Sequence, residues 1–194
     1  MQVKEIMTGD VAYCGPQSAL ADAAMLMWHK DCGSVPVVNH EGKVVGIITD
    51  RDICMAVVTR DRLASQISVG EVIGGLVRVC SPDDDVEAAL ATMRYAQIRR
   101  LPVVDRDGSL CGILSICDAL QCTGKDEKKS KRVSRKKVLQ TLRAISQSQT
   151  VATNKEQVET DEDDEIEALE AIPINSQELN EQQKTEQVGG SGSI

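Results

Sequence analysis

Apolar positions along the chain change their period at regular intervals, and the changes predict its elements. In PQSALADAAMLMWHK (16–30) Leu20, Ala23, Ala24 and Met27 recur at spacings of three and four. Val86, Ala89, Leu90 and Met93 do the same in PDDDVEAALATMRYA (82–96), so each segment predicts a helix with one buried face. After each helix come two β-branched runs, VPVV and VVGIIT, then LPVV and CGILS. The segments between them, NHEGK and DRDGS, each carry a glycine suited to a hairpin. A second helix is predicted directly after each hairpin, over DRDICMAVVTR and ICDALQC. Ahead of each first helix stand an opening, VKEIM or VGEVI, and a short extended piece, DVAYC or LVRVC.

The two sets are copies of one unit. Pro36 and Pro102 lie 66 positions apart, as do Thr49 and Ser115, Asp52 and Asp118, Pro16 and Pro82, and Cys14 and Cys80. No gap is needed from Val3/Val69 to Asp52/Asp118, which marks an internal duplication. The predicted order is β-α-β-β-α twice, over 1–66 and 67–124, an α/β (α+β) fold. A three-stranded sheet with helices on one face leaves its other face apolar. Packing the copies on each other closes a shared core, and Val37, Val38, Val103 and Val104 are expected inside it.

Composition adds three points. There is no Phe, one Trp and two Tyr, so the core is aliphatic. Seven cysteines with no C-x-x-C spacing, beside only two histidines, predict reduced and mostly buried thiols rather than a metal site. His29 and His40 read as solvated surface. The first residues lack the marks of a signal peptide, and no apolar run is long enough to cross a bilayer, so a cytoplasmic protein without a membrane partner is expected.

Charge divides the remainder of the chain. Lys125 to Lys137 is a basic linker with 8 basic and 2 acidic residues. Val138, Leu142 and Ile145 form one stripe, predicting a short amphipathic helix over 138–149. Residues 150–194 are acidic and rich in Gln, Ser and Thr, and are expected to be disordered.

Candidate chemistry sits where strand meets helix. In G-I-I-T-D-R-D (46–52) Thr49 falls at the N-cap and Asp52 in the first turn, a capping motif in its simplest reading. The same pair suits a ribose, because a carboxylate accepts hydrogen bonds from both hydroxyls of a diol and a helix N-terminus favours an anion. The second copy keeps Ser115 and Asp118 while replacing Asp50-Arg51 with Ile116-Cys117. Only the hydroxyl and the acid survive.

Paired V-P-V-V, G-x-x-x-G-I-I-T-D-R-D-I and R-R-L-P-V-V-D segments resemble the CBS domain family in its tandem arrangement, the Bateman module, over roughly residues 1–124. The resemblance implies repeats related by a pseudo-twofold and two clefts between them for an adenosine-containing ligand: AMP, ADP, ATP, NAD or S-adenosylmethionine. It implies a regulatory, non-catalytic homodimer acting on an unidentified partner protein. Carried over by position, Ser115 and Asp118 hold ribose in one cleft, with backbone at Val11, Ala12, Cys32, Gly33 and Ser34 around the adenine. Thr49 and Asp52 hold it in the other, with Val77, Arg78, Ile98 and Arg99. Arg99 and Arg100 beside Ser115/Asp118 make that cleft the expected better site, with Arg51 a partial compensation in the other.

Two alternatives stand beside this reading. One is a dimerisation scaffold with degenerate clefts that bind nothing. The other uses 125–137 on nucleic acid; the net charge of −8 and the lack of aromatics there make that partner an unexpected one. No nucleophile–base pair, metal cluster or phosphate loop suggests an enzyme.

Overall fold

The computed structural model describes residues 1–124 and 133–147. The predicted tail, 150–194, lies outside them, as does the linker over 125–132. The elements run α1 (Leu20–His29), β1 (Ser34–Val38), β2 (Val44–Thr49) and α2 (Asp50–Arg60) in copy one. Copy two follows with α3 (Val86–Ala96), β3 (Arg100–Val104), β4 (Leu110–Ser115) and α4 (Ile116–Gln121), and α5 (Arg135–Ser146) closes the series. The fold is mixed α+β and duplicated, as the pattern predicts. The last helix begins at Arg135 rather than at 138, so Arg135, Lys136 and Lys137 form its first turn instead of a linker.

Each hairpin is antiparallel, with Ser34 opposite Thr49 and Arg100 opposite Ser115. Its turn is held by one side chain: Asn39 Oδ1 accepts from the backbone of Glu41 and Lys43, and Asp105 Oδ1 from Asp107 and Ser109. Gly42 and Gly108 then take φ +82° and +81°, a region that favours glycine.

The expected third strand of each sheet is a single parallel bridge, Cys14 to Val37 and Cys80 to Val103. Cys14 N donates to Pro36 O at 3.1 Å, and Val38 N donates to Cys14 O at 2.9 Å. The next donor in such a ladder is the residue two further on, which is Pro16 or Pro82 and has no N–H. The strand stops there.

The openings are exchanged between the copies. Val3 is fully buried in the core of copy two, among Leu90, Met93, Leu101 and Leu114. Val3 N donates to Asp84 O and Lys4 N to Pro82 O, both at 2.9 Å, and Lys4 pairs with Asp83 at 2.6 Å. Reciprocally, Ile67 and Val69 are buried with Leu20, Val35 and Ile48 in copy one, and Val69 N donates to Ser18 O at 2.8 Å. Glu71 ties this second opening to Arg60 and Arg62; hydrogen bonding from the Ser68 backbone, then from Arg62, pulls its carboxyl down to about 2. Thr8 runs across β4, exchanging hydrogen bonds with Ile113 at 3.0 and 2.9 Å. Val38, Val44, Val77 and Val104 form a third cluster where the hairpins meet, and Val44 N reaches Gly108 O there.

Cys14 and Cys80 are buried in the two cores. Burial pushes their thiols up to about 11 and about 12, with the charge of Asp84 adding at Cys80. Cys54 and Cys117 are exposed. Maleimide added to native protein is therefore expected to modify Cys54 and Cys117 promptly, and Cys14 and Cys80 only after denaturation. Peptide mapping by mass spectrometry reads the difference, and equal rates would contradict this core.

Candidate functional site

Both strand-to-helix junctions form the same reciprocal cap. Thr49 N and Oγ1 donate to Asp52 Oδ2 at 2.9 and 2.7 Å, while Asp52 N donates to Thr49 Oγ1 at 3.2 Å. Ser115 and Asp118 repeat it at 2.8, 2.7 and 3.3 Å. Capping and ligand binding are therefore not exclusive readings. Each carboxylate commits Oδ2 to its own helix, and Oδ1 makes no hydrogen bond among the described residues.

A cleft of about 640 Å³ opens between the copies beside Thr49. One wall is Gly33, Ser34, Thr49 and Arg51 from copy one, and the other is Ile98, Arg99 and Arg100 from copy two. Val77 and Arg78 close the third side. The four guanidiniums of Arg51, Arg78, Arg99 and Arg100 have no ion pair or hydrogen bond among the described residues, and Asp50 is the one acid on the lining. Ser34, only 5% exposed, carries a buried Oγ without any partner. Leaving such a hydroxyl unsatisfied costs about 1–3 kcal/mol. In a chain of net charge −8, this cleft is a concentrated positive site.

Nine of the predicted residues thus share one cleft, and it is the one beside Thr49. Arg99 and Arg100, assigned to the Ser115/Asp118 side, stand on its wall, as do Gly33 and Ser34. Val11, Ala12, Cys32, Ser115, Asp118 and Asp52 are not on its lining; Asp52 follows Arg51 in the first turn of α2, held in the cap with Thr49. The two sides of the pseudo-twofold also differ in charge. Arg78, expected to offer its backbone, has Ala12 as its twofold counterpart, and Arg51 has Cys117. Two positive charges are therefore unique to the Thr49 side. Comparing those pairs at the repeat offset carries the signal. Two further lining residues are Gln97, which had no sequence signal, and Ile145, which the stripe of the last helix includes without placing it here. They meet there because α5 docks on α3, with Gln97 Nε2 donating to Ala144 O at 3.0 Å.

Among the described residues no group of three His, Cys, Asp or Glu side chains is arranged to hold a metal, and no helix is long and apolar enough to cross a membrane.

Comparison with known proteins matches the CBS domain model to residues 3–59 and 69–123. The chain is 37% identical over 116 residues to the CBS domain-containing protein YhcV of Bacillus subtilis, covering 60% of this chain and 81% of that protein. It is 32% identical over 121 residues to an uncharacterized protein, MK0525, of Methanopyrus kandleri, spanning 62% of each. The CBS domain pair of protein MJ0100, solved in complex with 5′-methylthioadenosine and S-adenosyl-L-methionine, superposes with a TM-score of 0.57 at 25% identity, over 62% of this chain and 94% of that one. CBSX2 in complex with AMP gives 0.54 at 25%, over 62% and 93%. Two matched repeats cover more than half of the sequence, and this chain belongs to the CBS domain family.

Proposed function

We propose that the chain is a non-catalytic sensor of adenosine nucleotides whose principal site is the Thr49–Asp52 cleft. The observation that carries this reading is the convergence, on one inter-copy cleft, of four guanidiniums with no ion pair or hydrogen bond among the described residues. Thr49 Oγ1 and the free Oδ1 of Asp52 take the ribose diol. Arg78, Arg99 and Arg100 take phosphate, and Val77 and Ile98 flank the base. The adenosine ligands of MJ0100 and CBSX2 support the nucleoside half of the assignment. The arginines discriminate within the class: ATP and ADP are favoured, and the sulfonium cation of S-adenosylmethionine is disfavoured. Binding bridges the copies and biases their packing, a change read by a second copy or a regulated protein.

Calorimetry with ATP, ADP, AMP, NAD and S-adenosylmethionine tests the proposal. ATP is expected to bind at least roughly tenfold tighter than S-adenosylmethionine, about 1.4 kcal/mol. Asp52→Ala is expected to weaken ATP more than Asp118→Ala does. No heat with any of the five would favour the scaffold reading, to which the capped state of both aspartates lends its own support. A larger loss in Asp118→Ala would move the site to the other side of the pseudo-twofold.

A further inference from the structure

In copy two, α5 lies along α3 and touches α4. Val138 and Thr141 are buried there, with Leu142 and Ile145 packed on the same cluster. Thr141 Oγ1 donates to Leu90 O at 3.3 Å, and Lys137 pairs with Glu87 at 2.8 Å. The repeat offset carries Leu90, Met93, Gln97 and Ala119 onto Ala24, Met27, Asp31 and Ile53. Those four residues line a groove of about 430 Å³ between α1 and α2 in copy one. The molecule therefore has two equivalent seats for a helix. One holds α5, and no described residue fills the other.

The open seat is apolar at its floor and at its flank. Trp28, which lines it, is 81% exposed, and Met25, Met55 and Val58 on the same two helices are also exposed. Its rim differs from that of the filled seat in charge. Where Gln97 donates to the carbonyl end of α5, copy one presents Asp31, which can only accept; where Ile116 stands, it presents Asp50. Neither carboxylate has an ion pair among the described residues. A helix seated in the polarity of α5 would aim its last carbonyls at Asp31, which is unfavourable. A helix of reversed polarity brings its positive end and any basic first-turn residues to both acids.

We propose that the α1–α2 groove is a docking site for an amphipathic helix of a partner protein, aliphatic at i, i+4 and i+7 and basic in its first turn. The filled seat supplies the shape of the occupant, and the two carboxylates without an ion pair supply its charge. Asp50 also lines the nucleotide cleft, but Asp31, Trp28 and the apolar floor do not, and the inference requires no bound nucleotide.

Trp28 is the only tryptophan in the chain, so its emission reports on the open seat alone. The probe is a synthetic peptide of residues 134–147, SRKKVLQTLRAISQ, which has the required stripe and basic first turn and no tryptophan. Titrated into the full chain, it is expected to shift Trp28 emission saturably to the blue. A peptide with Arg135→Glu, Lys136→Glu and Lys137→Glu is expected to bind roughly tenfold more weakly, as two to three partly exposed charge pairs at about 0.5 kcal/mol each require. Asp31→Asn with Asp50→Asn should give a similar loss with the parent peptide. Asparagine suits the φ of +49° at position 31, so that variant keeps its fold. Unchanged Trp28 emission, including through displacement of the resident α5 from copy two, overturns the proposal. So does equal affinity for the two peptides. Light scattering that shows a dimer, dissociated by Trp28→Ala, would assign the groove to a second copy instead.

Discussion

Replacing Arg78, Arg99 and Arg100 together by alanine is expected to weaken ATP binding on the order of 100-fold without lowering the melting temperature. The three side chains are half-buried or exposed and hold no other part of the described structure, so the fold loses nothing it uses. Partly solvated guanidinium–phosphate contacts contribute about 1 kcal/mol each, and three amount to about two decades in affinity. The loss should shrink as salt rises, because the parent depends on charge and the variant does not. Arg106→Ala, outside the cleft, serves as the control and should bind as the parent does. Calorimetry at two ionic strengths measures all of this. A triple variant that binds ATP normally would take the phosphates away from this cleft.

Gly112→Ala is expected to cost about 3 kcal/mol of stability, a large change for a single methyl group. A Cβ at Gly112 would stand 2.6 Å from Thr8 O and 3.0 Å from Met7 Sδ. The sulfur can swing away, but the carbonyl is backbone, and moving it breaks the paired hydrogen bonds of Thr8 with Ile113. Overpacking of this kind costs about 1–3 kcal/mol, and each lost hydrogen bond about 1 more. Gly9→Ala is the matched control: nothing lies within 4 Å of its Cβ, so its effect should stay within about 0.5 kcal/mol. Urea unfolding of the two variants beside the parent gives the comparison. If Gly112→Ala is as stable as the parent, the first opening does not lie across β4.

The reach of the sequence can be judged residue by residue. Both hairpins and α2 were legible to within a residue, because β-branched runs, turn glycines and the caps at Thr49 and Ser115 all agree. Although a full third strand was expected there, the signal for the early stop of the first strand, Pro16 and Pro82 in place of the next ladder donor, was legible. The exchange of openings was not. Val3 and Val69 are the same residue at the same offset, and a repeat cannot say whether such a residue packs on its own copy or on the other. The set of charges around the cleft was legible only in part. Arg99 and Arg100 adjoin a motif, whereas Arg78 lies in an extended piece with no motif, and its charge counts only once the copies are placed together. The docking of α5 depends on packing between segments some fifty positions apart, for which its stripe gives a face but no address.

The traded openings have a consequence for how such a molecule could arise. A lone repeat with this sequence would leave Leu20, Val35 and Ile48 short of a valine that only a sister chain could lend, so it would be an obligate pair from the outset. Joining two such units end to end turned a concentration-dependent encounter into a closure within one chain. It also leaves each half free to differ, and here Arg51 and Arg78 stand where the other half has Cys117 and Ala12.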